Sequence, residues 1–198
     1  MENLVAFLNN FSPLSLETLA LMGEFFTFAE LKKGDFFVQE GEYAKEIAFL
    51  ETGIVRAFYN DRKGREYNQY FFVAPSIIGA YASLISKQQT RIPQQALTDC
   101  RLWKARFDRI EKLSETNFEI ERLRRMIAEK YFIEFEQKQV EMALLDASER
   151  YQIFQREFPD VEKQIPQHHI ASYLGITPTQ LSRVKRSLYD EKRNSLHM

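Results

Sequence analysis

The stretch ITPTQLSRVKR, residues 176–186, places Thr179, Gln180, Ser182, Arg183, Lys185 and Arg186 within little more than two turns of helix. An arginine fork matches guanine O6 and N7, and a glutamine amide matches adenine. Short hydroxyls and ammonium groups suit phosphate oxygens. Arg183 is the first candidate base reader. Lys185, Arg186, Lys192 and Arg193 are read as phosphate contacts, with Ser182 and Thr179 beside them. For Lys192 and Arg193 a solvated helix face is an equal alternative. Gln180 has two uses open to it, reading a base or folding back to cap its own helix. His168 and His169 either touch phosphate or cap the preceding helix, and no metal spacing accompanies them. Net charge over the whole chain is −1, yet residues 164–198 carry five Lys/Arg against two Asp/Glu. Attraction to phosphate must therefore be local.

Such residues need rigid presentation. In HHIASYLGITPTQLSRVKR (168–186) the apolar residues Ile170, Leu174, Ile176, Leu181 and Val184 have the spacing that fills a wedge between two short helices. Ala171 is small where the second helix crosses. Gly175 can take the left-handed conformation that ends the first helix and turns the chain. Thr177 as cap, Pro178 in the first turn and Gln180 three residues past the cap start the second helix. This is a helix-turn-helix pattern, and 178–188 is its recognition helix.

Upstream, the chain has 198 residues, 44% hydrophobic and 28% charged, as a soluble globular protein does. No apolar run reaches the length of a membrane span, and MENLVAFLNNFSPLS lacks the basic start and apolar core of a signal peptide, so a cytoplasmic protein is expected. One cysteine, Cys100, excludes an internal disulfide, a thiolate zinc site and a four-cysteine iron–sulfur cluster, and is read as a buried hydrophobe. All three histidines lie in the last 31 residues, leaving none upstream to ligate haem or act as a general base.

Residues 13–26 predict an amphipathic helix with Leu16, Leu19 and Met22 on one face. Glycines at 34, 41, 53 and 64 then punctuate the strand-like runs FTFAEL, DFFVQ, EIAFLE, GIVRAFYN and EYNQYFFV. IPQQALTD and CRLWKARF follow. Together they predict a small antiparallel barrel or sandwich. From Ser114 a run of 33 residues without glycine or proline predicts one long helix, capped by Ser114, Thr116 or Asn117. Two apolar stripes run along it. Ile120, Leu123, Ile127, Tyr131 and Phe135 form one; Met126, Ile133, Val140 and Leu144 form the other. One stripe is expected to pack on the chain's own barrel and the other on a second copy. SERYQIFQREFP predicts a further helix, stopped by Pro159.

Glycine-punctuated barrel, long helix and terminal helix-turn-helix, in that order, resemble the CRP/FNR family of bacterial transcription regulators over nearly the whole length. The resemblance rests on KKGDFFVQEGEYAKEIAFLETGIVRAFYNDRKGREY, SIIGAYASL, LLDASERY and the terminal motif. It implies an α+β fold: an antiparallel β-roll of the cyclic-nucleotide-binding type (1–113), a dimerisation helix (114–146) and a DNA-binding domain (147–198). It also implies a homodimer whose recognition helices enter successive major grooves about 34 Å apart on a near-palindrome of double-stranded DNA, with RNA polymerase as a further partner. The implied ligand pocket is formed by Ile78, Gly79, Ala80, Tyr81, Thr90, Arg91, Phe135 and Glu136.

This chain departs from the nucleotide-binding pattern at each point. Ala80 stands where a glutamate meets the ribose, and Thr90–Arg91 replace the arginine–serine pair that holds phosphate. Displacing an arginine by one residue in a strand turns it to the other face. Phe135 and Glu136 occupy the positions of two small hydroxyl residues. Cyclic AMP is therefore not expected to bind, and no haem or iron–sulfur cofactor is expected. An apolar ligand beside Phe71, Phe72, Ile78 and Tyr81, or none, remains. Few residues follow the recognition helix, so a short or missing wing is expected. The leading expectation is a dimeric, sequence-specific regulator; the alternative is a ligand-binding dimer with vestigial DNA binding. An enzyme is disfavoured by scattered carboxylates and the lack of a nucleophile or phosphate-loop motif.

Overall fold

The computed structural model describes residues 1–195. Two helices open the chain, α1 (Glu2–Asn9) and α2 (Leu16–Gly23). Strands β1 (Thr27–Leu31), β2 (Phe36–Val38), β3 (Glu46–Thr52), β4 (Ile54–Asn60), β5 (Glu66–Val73) and β6 (Ser76–Ile78) follow, then α3 (Tyr81–Ser86), β7 (Gln94–Ala96) and β8 (Cys100–Arg106). The rest is helical: α4 (Phe107–Ser114), α5 (Phe118–Leu144), α6 (Ala147–Glu157), α7 (Val161–Gln164), α8 (Gln167–Tyr173) and α9 (Pro178–Ser195).

The strands form two antiparallel four-stranded sheets, ordered β1-β8-β3-β6 and β2-β7-β4-β5. Ala48, Leu50, Val55, Ile78, Ala96, Cys100 and Leu102 fill the space between them. The two-residue period sends alternate side chains outward. Phe49 and Ile77 pack under α1, α2 and α5 with Leu4, Leu8, Met22, Ile120 and Leu123. Ile54 and Phe71 leave the other sheet on its outer side and join the C-terminal helices. Strands buried on both faces read as near-continuous apolar runs, which is what EIAFLE and GIVRAFYN are. Gly53 links them because the turn grazes β8: a Cβ there would lie 2.6 Å from Cys100 Sγ and 2.7 Å from the Asp99 carbonyl oxygen.

Several expectations are corrected. The long helix starts at Phe118 and ends at Leu144 rather than spanning 114–146. Ser114 closes α4, donating its hydroxyl to the Glu111 carbonyl, and Asn117 caps α5 by accepting the Ile120 N–H at 3.1 Å. In α2 the buried face is Thr18 and Met22, while Leu16 is 86% exposed, because Ser15 caps the helix on the Thr18 N–H and fixes its rotation. The elements α1, β6, α3, α4 and α7 are not among those expected. On α5 the first stripe divides. Ile120 and Leu123 are buried, Ile127 and Tyr131 are half-buried, and Phe135 is exposed. On the second stripe Met126 is half-buried, whereas Ile133, Val140 and Leu144 lie open on the single chain.

Candidate functional site

Between α8 and α9 lies the predicted wedge. Ile170, Ala171, Leu174 and Leu181 are fully buried, with Ile176 and Val184 packed against them. Gly175 turns the chain at φ +69°. Its absent side chain also makes room for α5, since a Cβ would come 2.6 Å from Met142 Cε. Thr177 and Gln180 form a reciprocal cap: the Thr177 N–H donates to Gln180 Oε1 at 2.8 Å, and the Gln180 N–H donates to Thr177 Oγ at 3.2 Å. Gln180 is thus committed to its own helix. α9 runs to Ser195, seven residues past the expected end at 188, because SLYDEKRNS has nothing that stops a helix. Among the described residues no strand follows α9, and His197 lies outside them.

Thr179, Ser182, Arg183 and Arg186 are exposed on one stretch of α9. The Ser182 hydroxyl donates to the Pro178 carbonyl at 3.1 Å. Lys185 differs from its expected role. It is half-buried and pairs with Glu162, which in turn accepts the Tyr151 hydroxyl at 2.8 Å. His168 is exposed beside the start of α8, but His169 is neither a cap nor a surface residue.

His169 is buried against the roll. Arg56 Nη1 and Asn68 Nδ2 each lie 3.3 Å from its Nδ1, so that nitrogen is the acceptor and the ring is neutral. Burial, and then the Arg56 charge, push its pKa down from 6.5 to about 4. Asn68 Nδ2 also donates to the His169 carbonyl at 2.9 Å, while the Asn68 N–H donates to Ser172 Oγ and Ser172 donates to the Glu66 carbonyl. Arg56, only 4% exposed, is held by Gln95 Oε1 at 2.7 and 3.0 Å and by Glu66 at 2.5 Å. This polar clasp sits beside an aromatic one, in which the Phe71 and Tyr173 rings are 4.9 Å apart. Arg150 joins the ends of two helices, donating to the carbonyls of Leu145 and Leu174. Lys138 Nζ lies 3.8 Å above the Tyr173 ring, and its burial lowers its pKa.

The second candidate site is a cavity of about 800 Å³ between the roll and α5. Ile78, Gly79, Ala80, Tyr81, Thr90 and Phe135 line it. Arg91 and Glu136 do not. Arg91 is exposed in the loop before β7, not in a strand as expected, and lines an outer groove with Glu40, Tyr43, Lys87 and Thr90. Glu136 is exposed on α5 away from the cavity. Phe71 is also displaced, lying in the core shared with the helix-turn-helix, whereas Phe72 is in the lining. The Thr90 hydroxyl is taken by the Ile92 backbone. No group of three or more potential metal ligands occurs among the described residues, and no helix among them is long and apolar enough to cross a membrane.

Roll, long helix and helix-turn-helix in this arrangement define the fold of the CRP/FNR-type transcription regulators. Residues 28–117 match the cyclic nucleotide-binding domain family. The chain is similar in structure to FixK2 from Bradyrhizobium japonicum, with 22% identity, a TM-score of 0.73, and coverage of 84% of this chain and 86% of that one. It is also similar to a crp/fnr-family transcriptional regulator from Eubacterium rectale, at 17% identity and TM-score 0.72 over 92% and 88% of the two chains. The Catabolite Activator Protein of Thermus thermophilus matches at 19% identity and TM-score 0.56 over 92% and 87%. No curated protein sequence matches.

Sequence reasoning missed Arg56, Asn68 and Ser172. The one available signal was an arginine inside the otherwise apolar strand IVRAF, where a charge must be paired to be buried.

Proposed function

We propose that this protein is a homodimeric, sequence-specific DNA-binding regulator. The observation that carries the reading is the helix-turn-helix with Thr179, Ser182, Arg183 and Arg186 exposed together on its second helix. Arg183, with no partner among the described residues' hydrogen bonds and ion pairs, is the base reader; Arg186, Thr179 and Ser182 meet backbone phosphates. Gln180 is removed from base reading by its cap, and Lys185 reaches phosphate only by leaving Glu162. His168, exposed on the first turn of α8, is proposed as a further phosphate contact.

Dimerisation is proposed through the open stripe Ile133, Val140 and Leu144 of α5, which two copies bury by packing their helices side by side. The two recognition helices then read half-sites one turn of DNA apart. RNA polymerase is proposed as a further partner, and the cytoplasm as the site of action. Cyclic AMP is not the effector. Ala80 brings no carboxylate to a ribose, and the guanidinium of Arg91 faces away from the cavity that would hold a phosphate. No haem, iron–sulfur or metal cofactor is proposed, nor any catalytic activity.

Selection from a random duplex pool at about 150 mM salt tests the reading, since non-specific phosphate binding is weakened there. A near-palindrome with half-sites about 10 base pairs apart is expected. Enrichment of nothing, with weak binding to every duplex, would favour a ligand-binding dimer whose DNA contact is vestigial.

A further inference from the structure

The roll cavity has apolar walls, with Ala57, Phe72 and Ile78 on the strand side and Ile120, Leu123 and Ile127 on the α5 side. One arginine enters them. The Arg124 guanidinium sits 5.2 Å from the Phe107 ring centroid, and its Nη1 donates to the Ser114 hydroxyl. Its Nε is buried with no partner among the described residues. Glu129, also in the lining, is already taken by Arg125 at 2.7 Å. No carboxylate among the described residues pairs with Arg124. A guanidinium stays charged in any protein environment, and a half-buried charge facing apolar walls is costly unless an anion meets it. On the opposite wall Gln94 is 3% exposed, and its Oε1 likewise has no protein partner.

We propose that this cavity binds an apolar monocarboxylic acid of the acyl-chain type. The carboxylate meets Arg124, and the chain lies along the aliphatic and aromatic walls. Cavities of several hundred cubic ångströms with few polar groups are built for such amphipathic molecules. A nucleotide brings a ribose and a base besides its anion, and Ala80 offers no carboxylate to the ribose in this apolar lining.

This deepens the reading of the roll as the sensing half of a regulator and rests on it for biological meaning, though not for binding itself. The route to the dimer helix is short. Arg124 lies on α5, whose Tyr131 hydroxyl donates to the Ile77 carbonyl at 3.1 Å and accepts the Ile77 N–H at 3.3 Å. Ile77 belongs to the cavity wall, and Ile133, two residues beyond Tyr131, belongs to the open stripe. An acid that binds one arrangement of α5 better than another shifts the dimer toward it.

The test is calorimetric titration of the full-length chain with decanoate, decanol and cyclic AMP, without DNA, so that the outcome is independent of whether the protein reads a sequence. Decanoate is expected to bind, decanol about tenfold or more weakly because it cannot meet the charge, and cyclic AMP not at all. Arg124→Gln, checked for an unchanged melting profile, is expected to erase the preference for the acid. Ala128→Trp, which fills the cavity, is expected to abolish binding of both chains. Failure of decanoate to bind the wild-type protein, equal binding of decanoate and decanol to it, or displacement of decanoate by cyclic AMP would each overturn the proposal. The wild-type comparison of acid with alcohol needs no variant and stands if a substituted chain fails to fold.

Discussion

Asn68 in β5 donates its side-chain amide to the main-chain carbonyl of His169 in α8 at 2.9 Å, across a separation of 101 residues. The first helix of the helix-turn-helix is thereby docked on the roll by a buried hydrogen bond, with Arg56, Glu66, Gln95 and Ser172 completing the network around it. Loosening this contact is expected to free the helix-turn-helix while leaving the rest of the roll untouched. Asn68→Leu removes the bond and strands the polar partners, which costs about 1–3 kcal/mol. Hydrogen exchange is the measurement. Faster exchange confined to α8 and β5 is expected, with β3 and β8 unchanged; uniform acceleration would mean the clasp is no separate unit.

The same clasp makes docking sensitive to acid. His169 has an ordinary pKa near 6.5 unfolded and about 4 in the folded protein, so the unfolded chain binds the extra proton between those values. Its contribution is complete above about pH 6.5 and is lost as pH falls toward 4. Glu66, whose pKa is held down by its hydrogen bond from Arg56, adds a loss in the same direction at lower pH. Melting temperatures at pH 7, 6 and 5 are expected to fall more steeply for the wild type than for His169→Gln. Parallel curves would remove His169 as the titrating group.

Gly175 holds the turn of the helix-turn-helix at a positive φ and lies under Met142. Gly175→Ala adds about 1–2 kcal/mol of left-handed strain as well as a clash with the Met142 methyl. Adding Met142→Ala is expected to relieve the clash but not the strain, so thermal unfolding should show partial recovery. Full recovery would show that the backbone conformation costs nothing there.

Ile133 and Val140 are 52% and 51% exposed on the single chain, so charges placed there cost the folded protomer little. Ile133→Glu combined with Val140→Glu puts like charges into the proposed dimer seam. Sedimentation should show a dimer for the wild type and a folded monomer for the double variant. A variant that remains dimeric would place the interface elsewhere.

The residues that make the helix-turn-helix were legible because every constraint on them is local. Wedge spacing, a turn glycine and a capped start all fall within twenty residues, and Leu174, Gly175 and Leu181 occupy the places that pattern assigns. The strands were legible where glycine turns frame them, as around Gly53. The clasp was not legible, because nothing near His169 in sequence announces Arg56 or Asn68. Lys185 reads as a phosphate contact until Glu162 is brought beside it from another helix. Adjacent residues such as Phe71 and Phe72 look interchangeable in one dimension. A pleated strand sends them to opposite faces.

The most direct test of the account compares sequence selection by the wild-type protein and by Arg183→Ala. The account predicts a palindrome for the wild type and, for the variant, relaxed preference at one base pair in each half-site with a loss of about 1–3 kcal/mol there. Equal weakening on every sequence, with the preference intact, would contradict it, because Arg183 would then be one more phosphate contact and the reading surface would lie elsewhere.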